Sequence, residues 1–505
     1  MFFAGCVFLL TAIFFNQFGF LHPEMGTYIP FHLSGKPLPE IIFNSNMLER
    51  PPSTQGRELS YLVDHCDILA LAKSVQYGFP LFIPASNFIF ITIFGVILFG
   101  SFTKIFHLDR VTSALLVCAF WVTPHAYIMG MSRSAKPGAG FFCVLLLMLV
   151  YLAIKAARIL DLQELRLGGE KVAEVRLGWL RGALLFACGI VLSMFDRQGL
   201  YLLAVTTVAA GIISFCLRSR RMLMILWPLV LAIFAHLFYF FIALPFLAKN
   251  LGNCTVDYSF NKLDLDTLLA YGPRVGADSL GIFINQVLFS FGNFPILPFG
   301  FLILGLFIFL IKYDEKQEKH YRRLDLRGRG WGLPVFTFAF FATWVMFFAM
   351  HMKLPALNKP DFQRWAYGIP IVMCLFFLSG LLIHMVRAPV IKTMIRATLC
   401  VILLCNIIAL PGHVSKIKTG YFNNVAAISP VLRDALLNVY DINYKPNPLV
   451  YTNAYEYFGP DGPRDIFVSN GLINNKVTIY DCLKKYALEH SRTTQPLRLT
   501  RENTP

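Results

Sequence analysis

Apolar runs of about 17–25 residues, each long enough to cross a lipid bilayer as a helix, recur along this chain and leave it few ways to fold. They fall near 2–20, 88–103, 111–130, 138–155, 182–195, 200–217, 222–247, 294–311, 333–351, 366–386 and 394–411. Backbone polar groups cannot be left unpaired in hydrocarbon, so such runs fold as helices. The expectation is an all-α polytopic membrane protein with about eleven transmembrane helices, the runs at 88–103 and 182–195 being short for a straight crossing. Only 15% of the residues are charged and 56% are hydrophobic, whereas soluble domains carry roughly 25% charge.

The formal charge of +16 would suit nucleic acid, but the basic residues sit in short loops between apolar runs, where the positive-inside rule accounts for them. No nucleic-acid partner is expected. The same bias orients the chain. The loops with Lys104 and Arg110, Lys155 to Arg181, Arg218 to Arg221, Lys312 to Arg329, and Arg387 to Arg396 face the cytoplasm, together with the N-terminus. Segments 21–87, 131–137, 196–199, 249–278 and 351–365 and the tail after Pro411 then lie outside. The first run has no basic leader and no small-residue cleavage site, so it is expected as a retained span. Eight of the eleven cysteines fall in apolar runs or at their ends, where Cys acts as a small hydrophobe rather than part of a disulfide framework. An Asn253-Cys-Thr glycosylation pattern lies on the outer side.

Residues 1–411 form the expected transmembrane domain, and its first external loop, 21–87, carries an amphipathic helix at 56–73 lying along the membrane. Its apolar stripe is Leu59, Leu62, Val63, Cys66 and Leu69, with Arg57, Tyr61, Asp64 and His65 facing away. Residues 412–505 read as a small external α/β domain, helical near 430–440 and 481–490 and strand-like near 449–451 and 476–480.

Acids gather on the outer side. Glu24 follows the first run directly and is placed to act as a general base, and Glu58 and Asp64 occupy the loop helix. Asp196 and Arg197 sit between two apolar runs with almost no loop, an expensive position unless they pair or serve a ligand; a hairpin turn with Gly199 in an unusual backbone conformation is the plainer reading. Arg57, Arg133, Lys136 and Arg364 are basic residues on the acidic side. Arginine suits phosphate because its planar fork makes paired charge-assisted bonds; contact with lipid head groups is the alternative. No spacing demands a metal, although carboxylates in one loop suit Mg²⁺ or Mn²⁺. His125, His236 and His384 have no metal-ligand spacing.

A first span, a long acidic external loop with a horizontal helix, many further spans and an external C-terminal domain together resemble the GT-C superfamily of membrane glycosyltransferases. The resemblance implies transfer of a sugar from a polyprenyl-phosphate donor, held in the membrane lipid, to a glycan or protein acceptor on the non-cytoplasmic side. It makes Glu24 the counterpart of the acid that follows the first span. Many members have two acids there; here Met25 follows, and Glu58 or Asp64 in the loop helix is left to supply the second carboxylate, with Asp196 a third from another loop. Arg57, Arg133, Lys136, Arg197 and Arg364 become the residues to hold the lipid phosphate. The implied location is the bacterial inner membrane, or the endoplasmic reticulum in a eukaryote. A non-catalytic scaffold or inactive GT-C homologue, and a transporter or flippase for a lipid-linked glycan, are the rival readings; two repeated halves, common in transporters, are not seen.

Overall fold

The computed structural model describes residues 32, 36–49, 56–76, 85–131, 134–166, 178–217, 220–244, 246–247, 290–291, 294–295, 362–385 and 389–421. The expected runs 2–20 and 333–351, all but the first two residues of 294–311, the Asn253 glycosylation pattern and residues 422–505 lie outside that set. The described residues are almost wholly helical: α1 (Leu38–Glu49), α2 (Glu58–Gln76), α3 (Ala85–Gly100), α4 (Arg110–Trp121), α5 (Pro124–Met131), α6 (Ala135–Arg166), α7 (Gly178–Phe195), α8 (Arg197–Leu217), α9 (Arg220–Phe238), α10 (Phe362–Met385) and α11 (Pro389–Tyr421). A two-residue antiparallel pair joins β1 (Ser290–Phe291) to β2 (Phe294–Pro295).

Four helical stretches among the described residues are long and apolar enough to cross a membrane: Ala85–Ile105, Ala135–Ala157, Met224–Ala243 and Lys392–Ala409. The first corrects the expectation that 88–103 is short, because α3 continues as a wider π-helical turn, Ser101–Ile105. A second such turn, Tyr239–Ala243, extends α9. The run at 111–130, expected as one span, is two helices. Proline has no N–H to donate and disfavours helix in the residue before it, so α4 ends at Trp121 and Pro124 opens α5. The Thr123 hydroxyl caps the new start, accepting from Ala126 N at 3.2 Å. α11 runs on to Tyr421, so the expected domain boundary at 411 falls inside a helix.

α6, α7, α8 and α9 pack together around Ala139, Cys143, Leu146, Leu192, Leu203 and Leu229. α10 covers another side of α6, α3 lies against α4, α5 and α6, and α11 lies against α4. α2 rests on α7, α6 and α3. Large side chains on the outside of this group are apolar and exposed, among them Phe215, Trp227, Phe234 and Ile408, the pattern of a surface whose solvent is lipid.

α2 differs from its expected pattern. It is helical over the predicted stretch, but Tyr61 and Asp64, read as outward-facing, are buried, and Cys66, read as part of the apolar stripe, is exposed. Simple amphipathicity assumes one buried face; α2 touches several helices at once. Its polar face is buried because neighbouring helix ends supply hydrogen-bond partners there, which offsets the cost of desolvation.

Candidate functional site

The residues that join α2 to the bundle are charged. Asp196 is the single residue between α7 and α8 and is completely buried. Its local role follows from its type: an Asp before a helix accepts from the exposed N–H groups of the first turn. Gln198 N donates to its Oδ1 at 2.9 Å, and Gly199 N to its backbone carbonyl at 2.8 Å. The expectation that Gly199 provides an unusual backbone angle is corrected. Gly199 is helical, and what it permits is close approach: a Cβ there would lie 1.9 Å from the Leu192 carbonyl oxygen.

The same carboxylate meets two cations from distant parts of the chain. Lys136 Nζ, in the first turn of α6, donates to Oδ1 at 2.8 Å and to Gln198 Oε1 at 3.1 Å. Arg57 Nε lies 3.3 Å from Oδ2, a charge contact more than an aligned hydrogen bond. Arg57 reaches this point because Gly56, with φ of +61°, turns the chain immediately before α2. Burial alone would raise the Asp196 carboxyl, but the charges of Arg57 and then Lys136 outweigh it and hold the group down at about 2.

Asp64 lies at the same end of the bundle. Its Oδ1 accepts from the Ser134 hydroxyl at 2.7 Å and from Ser134 N at 3.2 Å. Ser134 precedes α6 by one residue, and its hydroxyl also lies 3.1 Å from the Ser60 carbonyl. Glu58 is buried beside the Tyr239 hydroxyl, in the π-helical turn that ends α9. Asp67, one turn further along α2, accepts from Ser86 N at 2.8 Å and from the Ser86 hydroxyl. The three acids of α2 therefore each meet a different part of the bundle.

Of the residues singled out in the sequence, Arg57, Lys136 and Asp196 converge on one point, and Glu58 and Asp64 flank it from α2. Glu24 and Arg133 lie outside the described residues. Arg197 opens α8 and Arg364 lies in the first turn of α10, with their side chains outside the described set. Ser134, Gln198 and Tyr239 were not read from the sequence as part of a site. Ser134 had a signal, a serine just before a helix; for Tyr239 nothing local distinguishes it from other aromatic residues in an apolar run. Among the described residues no group of three His, Cys, Asp or Glu side chains is arranged to hold a metal ion. A groove of about 360 Å³, lined by Gly182, Ala183, Phe186, Trp227, Pro228 and Leu231, is wholly apolar. It lies at the other end of α7, roughly 15 Å or more along the helix from Asp196.

Asp67 predicts a pH dependence. Burial, with the Asp64 charge adding to it, pushes the Asp67 carboxyl up to about 7 against the two Ser86 donors, which favour the ionised form. A carboxyl raised in the folded state favours folding fully below its ordinary value near 3.8, and that contribution is lost as pH rises through about 7. Melting temperature in detergent should fall between about pH 5 and pH 8, and the slope should flatten in Asp67→Asn. An Asp67→Asn variant with the wild-type slope would show that the carboxyl is not the group responsible.

No protein-family model, no curated protein and no solved structure matches this chain. Its class rests on its own features: described residues that are almost wholly helical, membrane-length apolar helices among them, and a buried ion cluster at one end.

Proposed function

We propose that the chain is a multi-pass membrane glycosyltransferase of the GT-C type, with its site on the non-cytoplasmic side around Asp196, Asp64, Glu58, Arg57 and Lys136. The observation that carries this reading is the buried charge cluster itself. Three separate segments each deliver ionisable groups to one end of an apolar bundle, and charge in such a setting is costly unless it serves a ligand or a tight structural need. On α6, Lys136 and Lys155 stand about 28 Å apart along the axis, close to the hydrocarbon thickness of roughly 30 Å. The helices thus hold the acidic end at one membrane surface.

In the proposed reaction the acceptor hydroxyl oxygen attacks the anomeric carbon of a polyprenyl-phosphate sugar. The bond from that carbon to the phosphate oxygen breaks, the lipid phosphate leaves with the electron pair, and a carboxylate takes the hydroxyl proton. Asp196, held at about 2 between two cations, is a poor proton acceptor; its part is to position Arg57 and Lys136 for the phosphate. Glu58 or Asp64 is the candidate base, with Glu24 at the end of the first run. The membrane is the bacterial inner membrane or the endoplasmic reticulum.

The test is transfer from a polyprenyl-phosphate sugar in membranes containing equal amounts of each variant. Glu58→Gln or Asp64→Asn is expected to lower transfer by about 10²-fold, the usual contribution of a positioned general base, with little change in folded protein. One observation favours a scaffold instead: both oxygens of Asp196 are already committed within the protein. Wild-type membranes that transfer no sugar from any polyprenyl-phosphate donor, with Glu58→Gln and Asp64→Asn affecting only stability, would decide for that second reading.

A further inference from the structure

The opposite end of the bundle holds a second cluster, built from different elements and of the opposite character. After the π-helical turn the chain closes with Phe106 N bonded to Ser101 O at 2.9 Å and Leu108 N to Phe102 O at 2.8 Å. This is a helix-terminating arrangement whose left-handed residue is usually glycine. Here it is His107, with φ of 52°. A side chain kept in a conformation that glycine would adopt without strain suggests a use for that side chain.

The His107 ring faces His384 of α10, with ring centroids 6.4 Å apart. Lys155 near the end of the α6 span and Lys392 in the first turn of α11 are close enough for their charges to act on His384. His107, His384 and Lys155 are exposed and Lys392 is half-buried. The nearby carboxylate, Asp109, is engaged elsewhere: it caps α4 through Thr112 N at 3.0 Å and pairs with Arg396 Nη2 at 2.9 Å. Among the described residues positive charge is therefore in surplus here. Beside it, Val111, Val390 and Met394 are exposed apolar side chains at the starts of α4 and α11.

We propose that His107, Lys155, His384 and Lys392 form a binding site for the phosphate of an anionic membrane lipid, at the bundle end remote from Asp196. Two lysine ammonium groups and two imidazoles converging from four elements match a phosphate group, and the apolar surface running away from them along α11 matches an acyl chain. That second feature distinguishes a lipid from free phosphate. Basic pockets between spanning helices on the positively charged side of a membrane protein bind lipid head groups in this way. The site is independent of the transferase reading and stands whether or not that reading holds.

The test uses the purified chain in a neutral detergent, with melting temperature followed as phosphatidylglycerol, phosphatidylcholine, inorganic phosphate or a polyglutamate peptide is added. Phosphatidylglycerol is expected to raise the melting temperature in a saturable way and phosphatidylcholine to leave it unchanged. The double variant Lys155→Ala/Lys392→Ala should weaken the apparent phosphatidylglycerol affinity roughly thirtyfold, from about a factor of five per lysine. Lys73→Ala, an equally exposed charge in α2, should leave it intact. His107→Gly separates binding from folding: without lipid it should melt higher than wild type, because the strained residue is gone, yet bind phosphatidylglycerol more weakly. Equal responses to both phospholipids, or full affinity in the double lysine variant, would overturn the site. Inorganic phosphate reproducing the whole effect would replace the lipid with free phosphate, and stabilisation by polyglutamate alone would replace it with an acidic protein.

Discussion

Asp196→Asn is expected to cost about 3–5 kcal/mol of stability, the usual penalty for removing one partner of a buried ion pair. The variant keeps shape and loses one charge, so Lys136, itself 8% exposed, is left as a cation among apolar helices. Asparagine still accepts from Gln198 N, so the α8 cap survives and the loss reports the charge. Adding Lys136→Met should recover a large part of the stability, since removing both partners avoids the uncompensated ion, while Arg57, less buried, can turn towards water. Thermal melts at fixed scan rate for the two single variants and the double variant measure this coupling. A loss under about 1 kcal/mol in Asp196→Asn would mean that water reaches the cluster and that the ion pairs are of the weak surface kind. The Asp196 carboxyl is held down, so its contribution is complete above its ordinary value and is lost only as pH falls through about 2. Any change between about pH 5 and pH 8 then belongs to a different group, and Asp67 is the one whose carboxyl is raised into that range.

Gly199→Ala is the second large effect, about 3 kcal/mol at the upper end for overpacking by one methyl. The added carbon would meet the Leu192 carbonyl oxygen at 1.9 Å and its carbon at 2.7 Å. Both are backbone atoms of α7, so no side chain can rotate away; α7 and α8 must separate. Because Asp196 lies between them, the shift also moves the carboxylate from Lys136. Gly182→Ala is the matched control: nothing lies within 4 Å of a Cβ there, and alanine is the better helix former by roughly 1 kcal/mol. Gly182→Ala should melt at or above the wild type and Gly199→Ala well below it. Equal melting of the two variants would show that the α7–α8 junction yields without cost.

Much of the architecture is legible along the chain because a bilayer-length apolar run admits one backbone solution. The runs near 138–155, 222–247 and 394–411 each coincide with a membrane-length helix, and helix ends follow local chemistry at Asp109, Thr123-Pro124 and Asp196. The partition of loops also carries over into contact. Segments assigned to the outer side by charge bias, those with Arg57, Lys136 and Asp196, meet one another; loops assigned to the inner side meet through Asp109 and Arg396. Charge segregation constrains which loops can share an end because a helix that crosses the bundle carries its two ends to different faces.

What the sequence determined alone is the helical class, the positions of most apolar helices and the identity of the ionisable residues at their ends; hydrophobic length and capping chemistry are local and need no partner. Only the tertiary structure decided how those ionisable residues combine. Asp196 was legible as an acid between two helices, but its two cations arrive from α2 and from the start of α6, and a through-space charge contact leaves no pattern in neighbouring residues. The same holds for α2. A helix buried on several sides has no single apolar stripe, so Tyr61 and Asp64 face inward where periodicity put them outside, and the partner that admits Asp64 is Ser134, beyond three intervening helices.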